Sequence, residues 1–311
     1  MIIYATSIHS GGGKVLLDHL LDKEIFGKIT HLVCDERYNL SSINLTQMQV
    51  SRIKPSLFNR WKAEFLLKKL SQKYPMEDIL CFSNLPPAFK LKSNVILYLQ
   101  NALLLPKSKI IADSLKSYLR LSYEKLWLYL FINHVDQIWV QTEWMKNSLT
   151  KFHKPVFLKP FLPFFPEAKP KVEKKYDFIT ISGNAKHKQL NELLIEWDKF
   201  PIVGPSLLVV TEKPNKKILN TIVNLKNNNI KIVYNVSRET IFELYQEAKV
   251  LIVTSQIESF CLPIYEAKNY KLKVLAPKKA FAQEAPVDRY ISTPNAPDFG
   301  SVILNVFKEY C

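Results

Sequence analysis

Two carboxylates eight positions apart, Glu258 and Glu266, bracket the string Ser259-Phe260-Cys261-Leu262-Pro263-Ile264-Tyr265. An apolar stretch, Val250–Thr254, comes just before it, and helical patterning runs on to Asn269. Proline at 263 suits a first helical turn, where its missing amide has no intrahelical partner to lose. The amides of residues 259–262 then point toward a strand's carboxyl end, and a helix N-terminus there offers positive potential to an anion such as a diphosphate. Carboxylates beside such a site accept hydrogen bonds from sugar hydroxyls rather than hold phosphate. Two solvated surface acids share this spacing, so the string between them has to carry the distinction.

A second candidate is Ser7-Ile8-His9-Ser10-Gly11-Gly12-Gly13-Lys14, between an expected strand and a helical stretch from Val15. Small residues there let backbone amides approach an anion. The run is not a P-loop, because Ile8 stands where the first glycine belongs and Val15 where Ser or Thr follows the lysine. It also misses the GxGxxG pattern, with Leu16 at the third glycine. A tight strand-to-helix turn without a ligand is the plain alternative. His9, Gln100 and Asn101 are candidate acceptor contacts, and each is equally a local hydrogen-bonding residue. No metal or cofactor is expected: Cys34, Cys81, Cys261 and Cys311 form no CxxC, and the histidines form no ligand constellation. No ordered Ser/His/Asp or Cys/His set argues for a hydrolase.

The elements that must position these residues alternate on both sides of a proline-rich connector. Before it, Ile2–Ala5, His31–Cys34, Ile79–Phe82, Val95–Leu99 and Gln137–Gln141 read as buried strands. After it, strands are expected at Asp177–Ser182, Ser206–Thr211, Ile230–Tyr234, Val250–Thr254 and Lys273–Ala276. Helices at Glu192–Trp197, Lys216–Lys226, Arg238–Glu247 and Pro263–Asn269 separate them. Prolines at 155, 160, 163, 166 and 170 exclude a helix interior or central strand between them. The expectation is α/β: an N-terminal domain over 1–160, a linker over 161–171, a second domain over 172–295, and a C-terminal helix over 296–311 packing back on the first domain. In such parallel sheets, ligands bind beyond the strands' carboxyl ends.

Composition narrows the class. The chain has 311 residues, 47% hydrophobic and 23% charged, with a mean hydropathy of −0.06, which excludes a disordered chain. Four scattered cysteines exclude a disulfide scaffold and fit a reducing compartment. The N-terminus lacks a basic leader region. No run of about 18 apolar residues occurs, the longest aromatic-aliphatic run being Leu126–Ile132. The net charge is +15, and residues 1–160 hold 22 of the 43 Lys and Arg but only 12 of the 28 Asp and Glu. Part of that excess lies between Arg52 and Lys73, where Leu57, Phe58, Trp61 and Phe65 alternate with cations. Three readings compete for this stretch: a solvated helix face, a surface for anionic lipid, and a nucleic-acid contact unaccompanied by any nucleic-acid motif.

The segment from Glu258 to Ala267 resembles the ExxxxxxxE signature of the retaining glycosyltransferases of family 4, which have the GT-B fold. Glu258, Phe260, Leu262, Pro263, Glu266 and Ala267 match it, and Cys261 stands where the family has Gly. Ser237-Arg238-Glu239-Thr240-Ile241-Phe242-Glu243-Leu244-Tyr245 is similar to the family's lead-in. Phe178 through Lys188 resembles its donor-domain turn, with Lys188 at the diphosphate lysine and Asn184 near the place of an arginine, which Lys186 is expected to replace in charge. The glycine run resembles the family's GG loop.

The resemblance implies GT-B architecture, two Rossmann-like parallel-sheet domains facing a central cleft, the first binding acceptor and the second the nucleotide sugar. It implies Glu258 on the donor sugar's hydroxyls, Glu266 on the ribose and Lys188 on the diphosphate. Gly11, Gly12, Gly13, Gly183, Ser259, Phe260, Cys261 and Leu262 would complete the anion cradle, with Asn235 and Val236 near the base. The expected partners are a nucleotide-diphosphate sugar, a lipid-linked or saccharide acceptor and an anionic membrane surface, with no nucleic acid. The expected setting is O-antigen, lipopolysaccharide or capsule synthesis, cytoplasmic and peripheral on the inner membrane face. A basic two-domain nucleic-acid-binding protein and a catalytically degenerate sugar-nucleotide-binding relative are the alternatives.

Overall fold

A computed structural model describes residues 1–311 except Glu24, Phe26, 41–47, Phe161, Pro170, Lys171, Ile202, Cys311 and the side chain of Leu57. Part of the expected connector (Phe161, Pro170 and Lys171) and Cys311 therefore lie outside the described residues. The chain divides into two compact units, Met1–Ile110 with Leu115–Phe164, and Ile111–Ser114 with Phe165–Cys311.

The first unit is built on a parallel sheet of β1 (Ile2–Ala5), β2 (His31–Asp35), β3 (Gln49–Ile53), β4 (Ile79–Cys81), β5 (Val95–Tyr98), β6 (Gln137–Val140) and β7 (Val156–Leu158). Its order is β3-β2-β1-β4-β5-β6-β7, with all recorded pairings parallel. The inner strands are continuous apolar runs, as a sheet covered on both faces requires. Helices α1 (Gly11–Lys23), α2 (Leu57–Lys73), α3 (Leu115–Phe131) and α4 (Glu143–Ser148) complete it. Leu16, Leu17, Leu20 and Leu21 of α1 close the core over Ile3, Leu32 and Leu80. A buried carboxylate ties α2 in: Glu64 accepts from Tyr4 Oη at 2.9 Å and from Ala88 N at 2.8 Å, and pairs with Arg60 at 2.8 Å.

The second unit has a parallel sheet of β8 (Tyr176–Ile181), β9 (Leu207–Thr211), β10 (Ile230–Tyr234), β11 (Ala248–Ile252), β12 (Lys273–Pro277) and β13 (Arg289–Ile291). The order is β10-β9-β8-β11-β12-β13. Its helices are α5 (Leu190–Trp197), α6 (Lys216–Val223), α7 (Arg238–Gln246), α8 (Leu262–Asn269), α9 (Ala280–Gln283) and α10 (Phe299–Tyr310). Trp197, Leu193 and Leu194 of α5 pack with Phe178, Leu207 and Val250. In each sheet the strand order reverses once, beside β1 in the first and beside β8 in the second. A doubly wound sheet opens a crevice at that point, beyond the carboxyl ends of the strands.

Several expectations need correction. The C-terminal helix belongs to the second unit: Phe299, Ile303 and Val306 sit on one face of α10 and enter its core. The units divide between Phe164 and Phe165, inside the expected connector, and Ile111–Ser114 groups with the second unit. The three glycines are the first turn of α1, not a loop ahead of it. Arg52 and Ile53 belong to the edge strand β3, and Ser56 caps α2 by accepting from Asn59 N, so the basic helix starts only after Pro55.

Candidate functional site

In the second unit, β8 and β11 are neighbours, with Phe178 opposite Val250 and Ile179 opposite Leu251. The turn after β8 and the loop after β11 therefore emerge side by side at the point of reversal. They are stitched together by backbone: Gln256 N donates to His187 O at 2.7 Å, and Thr254 Oγ1 donates to Lys188 O at 2.7 Å. Lys188 and Glu258, both singled out in the sequence, are brought together here. Lys188 Nζ lies 2.6 Å from Glu258 Oε1, and Ser255 Oγ donates to the same oxygen at 2.8 Å. Burial opposes both charges, yet each outweighs that cost for the other. The Lys188 ammonium holds the Glu258 carboxyl below the usual range, and Glu258 holds Lys188 above its own. Beside them, burial pushes the His187 imidazole below its ordinary value.

Glu266 sits on the second turn of α8, nearly fully buried. Arg238 Nη2 donates to its Oε1 at 2.5 Å, and Tyr245 Oη donates to its Oε2 at 2.9 Å. Burial and the neighbouring Glu266 charge drive the Tyr245 hydroxyl well up, so it remains a donor. Each carboxylate oxygen keeps a further lone pair for a ligand hydroxyl. Arg238 and Tyr245 appeared in the sequence only as members of a similar string, with nothing to mark them as partners of Glu266. Ser255 was likewise missed. The signal for α7 was its start, where Ser237 Oγ accepts from Thr240 N at 3.2 Å.

Between the two carboxylates the backbone turns sharply. Cys261 precedes α8 with φ 59° and ψ 64°, a left-handed conformation that glycine adopts without strain and other residues do not. This explains the glycine at the matching place in the resembling family. Its thiol is buried, and that burial raises its pKa. Phe260 is buried and stacks on Tyr265, with centroids 4.3 Å apart and planes 1° from parallel. Ser259 and Leu262 lie on this same turn.

The β8 turn also carries Gly183, Asn184 and Lys186. A Cβ at Gly183 would come within 3.2 Å of Glu212 Oε1. Asn184 does not present its amide as a stand-in for an arginine, because both ends are engaged: Nδ2 donates to Lys213 O at 2.8 Å, and Oδ1 accepts from Asn215 N at 3.0 Å. The Lys186 amide donates to Asp113 Oδ2 at 3.1 Å, while its side chain is exposed. Asn235 is left-handed, φ 50°, and accepts from Lys213 N at 3.0 Å; Val236 follows it.

In the first unit, Gly11 has φ +65° and Gly12 has open space where a side chain would stand. At Gly13 a Cβ would press to 3.2 Å against Ile8 Cδ1. Gln100 and Asn101, expected as acceptor contacts, are occupied locally. Both backbone amides donate to Asn84 Oδ1, Gln100 Nε2 donates to Phe82 O, and Asn101 Oδ1 caps Leu103 N. His9 Nδ1 is 3.9 Å from Asp35 Oδ2. Burial opposes the Asp35 charge, but hydrogen bonds from Arg37 outweigh it and hold the carboxyl below the usual range. Among the described residues no cluster of His, Cys, Asp and Glu forms a metal centre. No described helix is long and apolar enough to cross a membrane.

Residues 163–292 match the family model described as Glycosyl transferases group 1. No curated protein matches the sequence. Among solved structures, the fold is similar to Anabaena Alr3699/HepE in complex with UDP and glucose, at 13% identity and a TM-score of 0.71, covering 99% of this chain and 89% of that one. It is also similar to WaaG, a glycosyltransferase involved in lipopolysaccharide biosynthesis, at 11% identity and a TM-score of 0.70, covering 99% and 90%. The lipopolysaccharide outer core galactosyltransferase WaaB matches at 12% identity and a TM-score of 0.62, covering 99% and 90%. Residues 163–292 are thus a glycosyltransferase group 1 domain that carries the Lys188, Glu258 and Glu266 turns, and the chain has the GT-B fold of these structures.

Proposed function

We propose that this enzyme moves a sugar from a nucleotide-diphosphate sugar, with retention of anomeric configuration, onto a lipid-linked saccharide in cell-surface polysaccharide synthesis at the inner membrane face. The observation that carries the reading is the Lys188–Glu258 pair at the reversal point of the donor sheet, next to the first turn of α8. When the bond from the anomeric carbon to the diphosphate oxygen breaks, the electron pair leaves with the diphosphate. Lys188 and the amides at 259–262 neutralise that charge, which is the largest demand of the reaction. Glu258, kept ionised by Lys188, accepts from donor-sugar hydroxyls. Glu266, aimed by Arg238 and Tyr245, accepts from the ribose. The acceptor hydroxyl forms the new glycosidic bond at the anomeric carbon and gives its proton to the departing diphosphate oxygen. Asn235 and Val236 border the base. The UDP and UDP-glucose complexes of HepE support the class of donor. The place of WaaG and WaaB in lipopolysaccharide synthesis supports the class of acceptor.

Thermal-shift measurements with UDP, GDP and dTDP sugars test the donor. A ligand at about 100 times its Kd stabilises the native state by about 2.7 kcal/mol. One nucleotide series should raise Tm, and NMR of the product should show the donor's anomeric configuration. No shift with any nucleotide sugar defeats the donor assignment, and an inverted product defeats retention.

A further inference from the structure

Helix α3 is turned inside out. On a wheel of about 100° per residue, its outward half collects Leu115, Tyr118, Leu119, Ser122, Tyr123, Leu126, Tyr129 and Leu130. The four leucines are 73%, 58%, 57% and 62% exposed, and the three tyrosines are exposed too. The inward half holds buried Leu121, Trp127 and Leu128 together with Glu124, the helix's one acid. Lys116 and Arg120 flank the outward half on one side and Lys125 on the other. An ordinary surface helix places charges where these leucines stand.

The apolar ground continues onto α2. Phe65 packs on Phe89 at 5.0 Å, Trp61 meets Trp127 at 5.8 Å, and Tyr123 lies 5.7 Å from Trp127. Phe58, Trp61 and Phe65 are exposed on α2, where Lys62 covers the Phe58 ring at 4.7 Å and Lys68 covers Phe89 at 4.9 Å. One band of leucine, tyrosine, phenylalanine and tryptophan thus runs across two helices with lysine and arginine along it. Leucines outward, aromatic rings with polar tips and flanking cations are what a helix lying in the headgroup layer of an anionic bilayer presents.

We propose that the outward face of α3, extended by Phe58, Trp61 and Phe65 of α2, docks the enzyme on an anionic lipid surface. The proposal rests on the membrane-side acceptor reading and names the face that carries it. Its probe is large unilamellar vesicles of phosphatidylcholine with or without phosphatidylglycerol, tested by co-sedimentation. Wild type binds the anionic vesicles, and L119S/L126S lowers that affinity about tenfold or more, since each leucine withdraws several methylene equivalents from the layer. The nucleotide-sugar thermal shift stays at its wild-type value, because these side chains are exposed and remote in sequence from the donor turns. Binding by the double variant equal to wild type overturns the proposal. So does a wild type that ignores the anionic vesicles, whether it is a monomer or a dimer made monomeric by L119S/L126S. If wild type binds and the variant does not, while no lipid-linked acceptor is used, the surface stands and the acceptor reading fails. If lipid-linked acceptor is used while the variant still binds vesicles, the surface fails and the acceptor reading stands.

Discussion

Lys188 Nζ and Glu258 Oε1 meet at 2.6 Å although seventy residues separate them, because the strands that precede them, β8 and β11, are neighbours in the sheet. Neither side chain is far exposed, so the contact is a partly desolvated, hydrogen-bonded ion pair and not a surface one. A bound diphosphate would take a share of Lys188, leaving Glu258 free for sugar hydroxyls.

Lys188→Met should therefore lower kcat by about 10²–10³, the usual loss when one group stabilising a developing charge is removed. The fold should persist at a cost of about 1.5–3 kcal/mol, the range for a hydrogen bond to a charged group. Transfer assays and urea unfolding check both. Wild-type kcat in this variant would remove Lys188 from the leaving-group role.

The same pair sets a pH dependence. Glu258 has a folded pKa below its ordinary 4.5, so its contribution is present above that value and is lost as pH falls through the lower folded one. Lys188 has a folded pKa above 10.5, so its contribution is full below 10.5 and is lost as pH rises through the higher value. In Lys188→Met, burial acts on Glu258 without the ammonium, and the acid-side slope of unfolding free energy should flatten. Denaturant titrations between about pH 3 and 6 read this directly. A slope identical to wild type would mean that the pair does not govern Glu258.

Glu266 is aimed by two donors from α7. Arg238→Ala leaves a buried carboxylate one partner short, and removal of one member of a buried pair costs about 3–5 kcal/mol. Tyr245→Phe deletes one hydrogen bond and costs about 1 kcal/mol. Both should also weaken nucleotide-sugar affinity, and a ribose contact through Glu266 predicts that Tyr245→Phe raises KM more than it lowers kcat. An unchanged KM in Tyr245→Phe would leave the tyrosine a purely structural partner.

Much of this site was legible because it is local. Glu258, Pro263 and Glu266 lie in one strand-turn-helix segment, and a helix start can be read from residue types. Arg238 and Tyr245 were not legible as partners of Glu266, since their contact depends on how α7 and α8 lie together. The edge strands β3 and β7 escaped because Arg52 in the one and the flanking Pro155 and Pro160 in the other break the apolar pattern by which inner strands show themselves. The exposed face of α3 escaped for the opposite reason. Its leucines and aromatics fill the helix on nearly every side, and an apolar run does not say which side turns outward. The fate of Asn184 was equally hidden, because its hydrogen bonds go to the loop after β9.

Cys261 offers a test with an inverted sign. At most positions alanine is the more stable replacement, because glycine loses about 0.5–1 kcal/mol of backbone entropy on folding. At φ 59° the order reverses, since a Cβ in the left-handed region costs about 1–2 kcal/mol and glycine escapes it. Cys261→Ala keeps that strain and also loses the packing of a buried thiol. Cys261→Gly loses the same packing but sheds the strain. The glycine variant should thus be more stable than the alanine variant by about 1 kcal/mol, the strain relieved less the entropy lost. Thermal or urea unfolding of the two decides it. Alanine equal to or above glycine would mean that this turn does not need the left-handed residue. A glycine variant with higher turnover than wild type would show that Cys261 restrains the loop between Glu258 and α8, and an unaltered turnover would show that the thiol is neutral to catalysis.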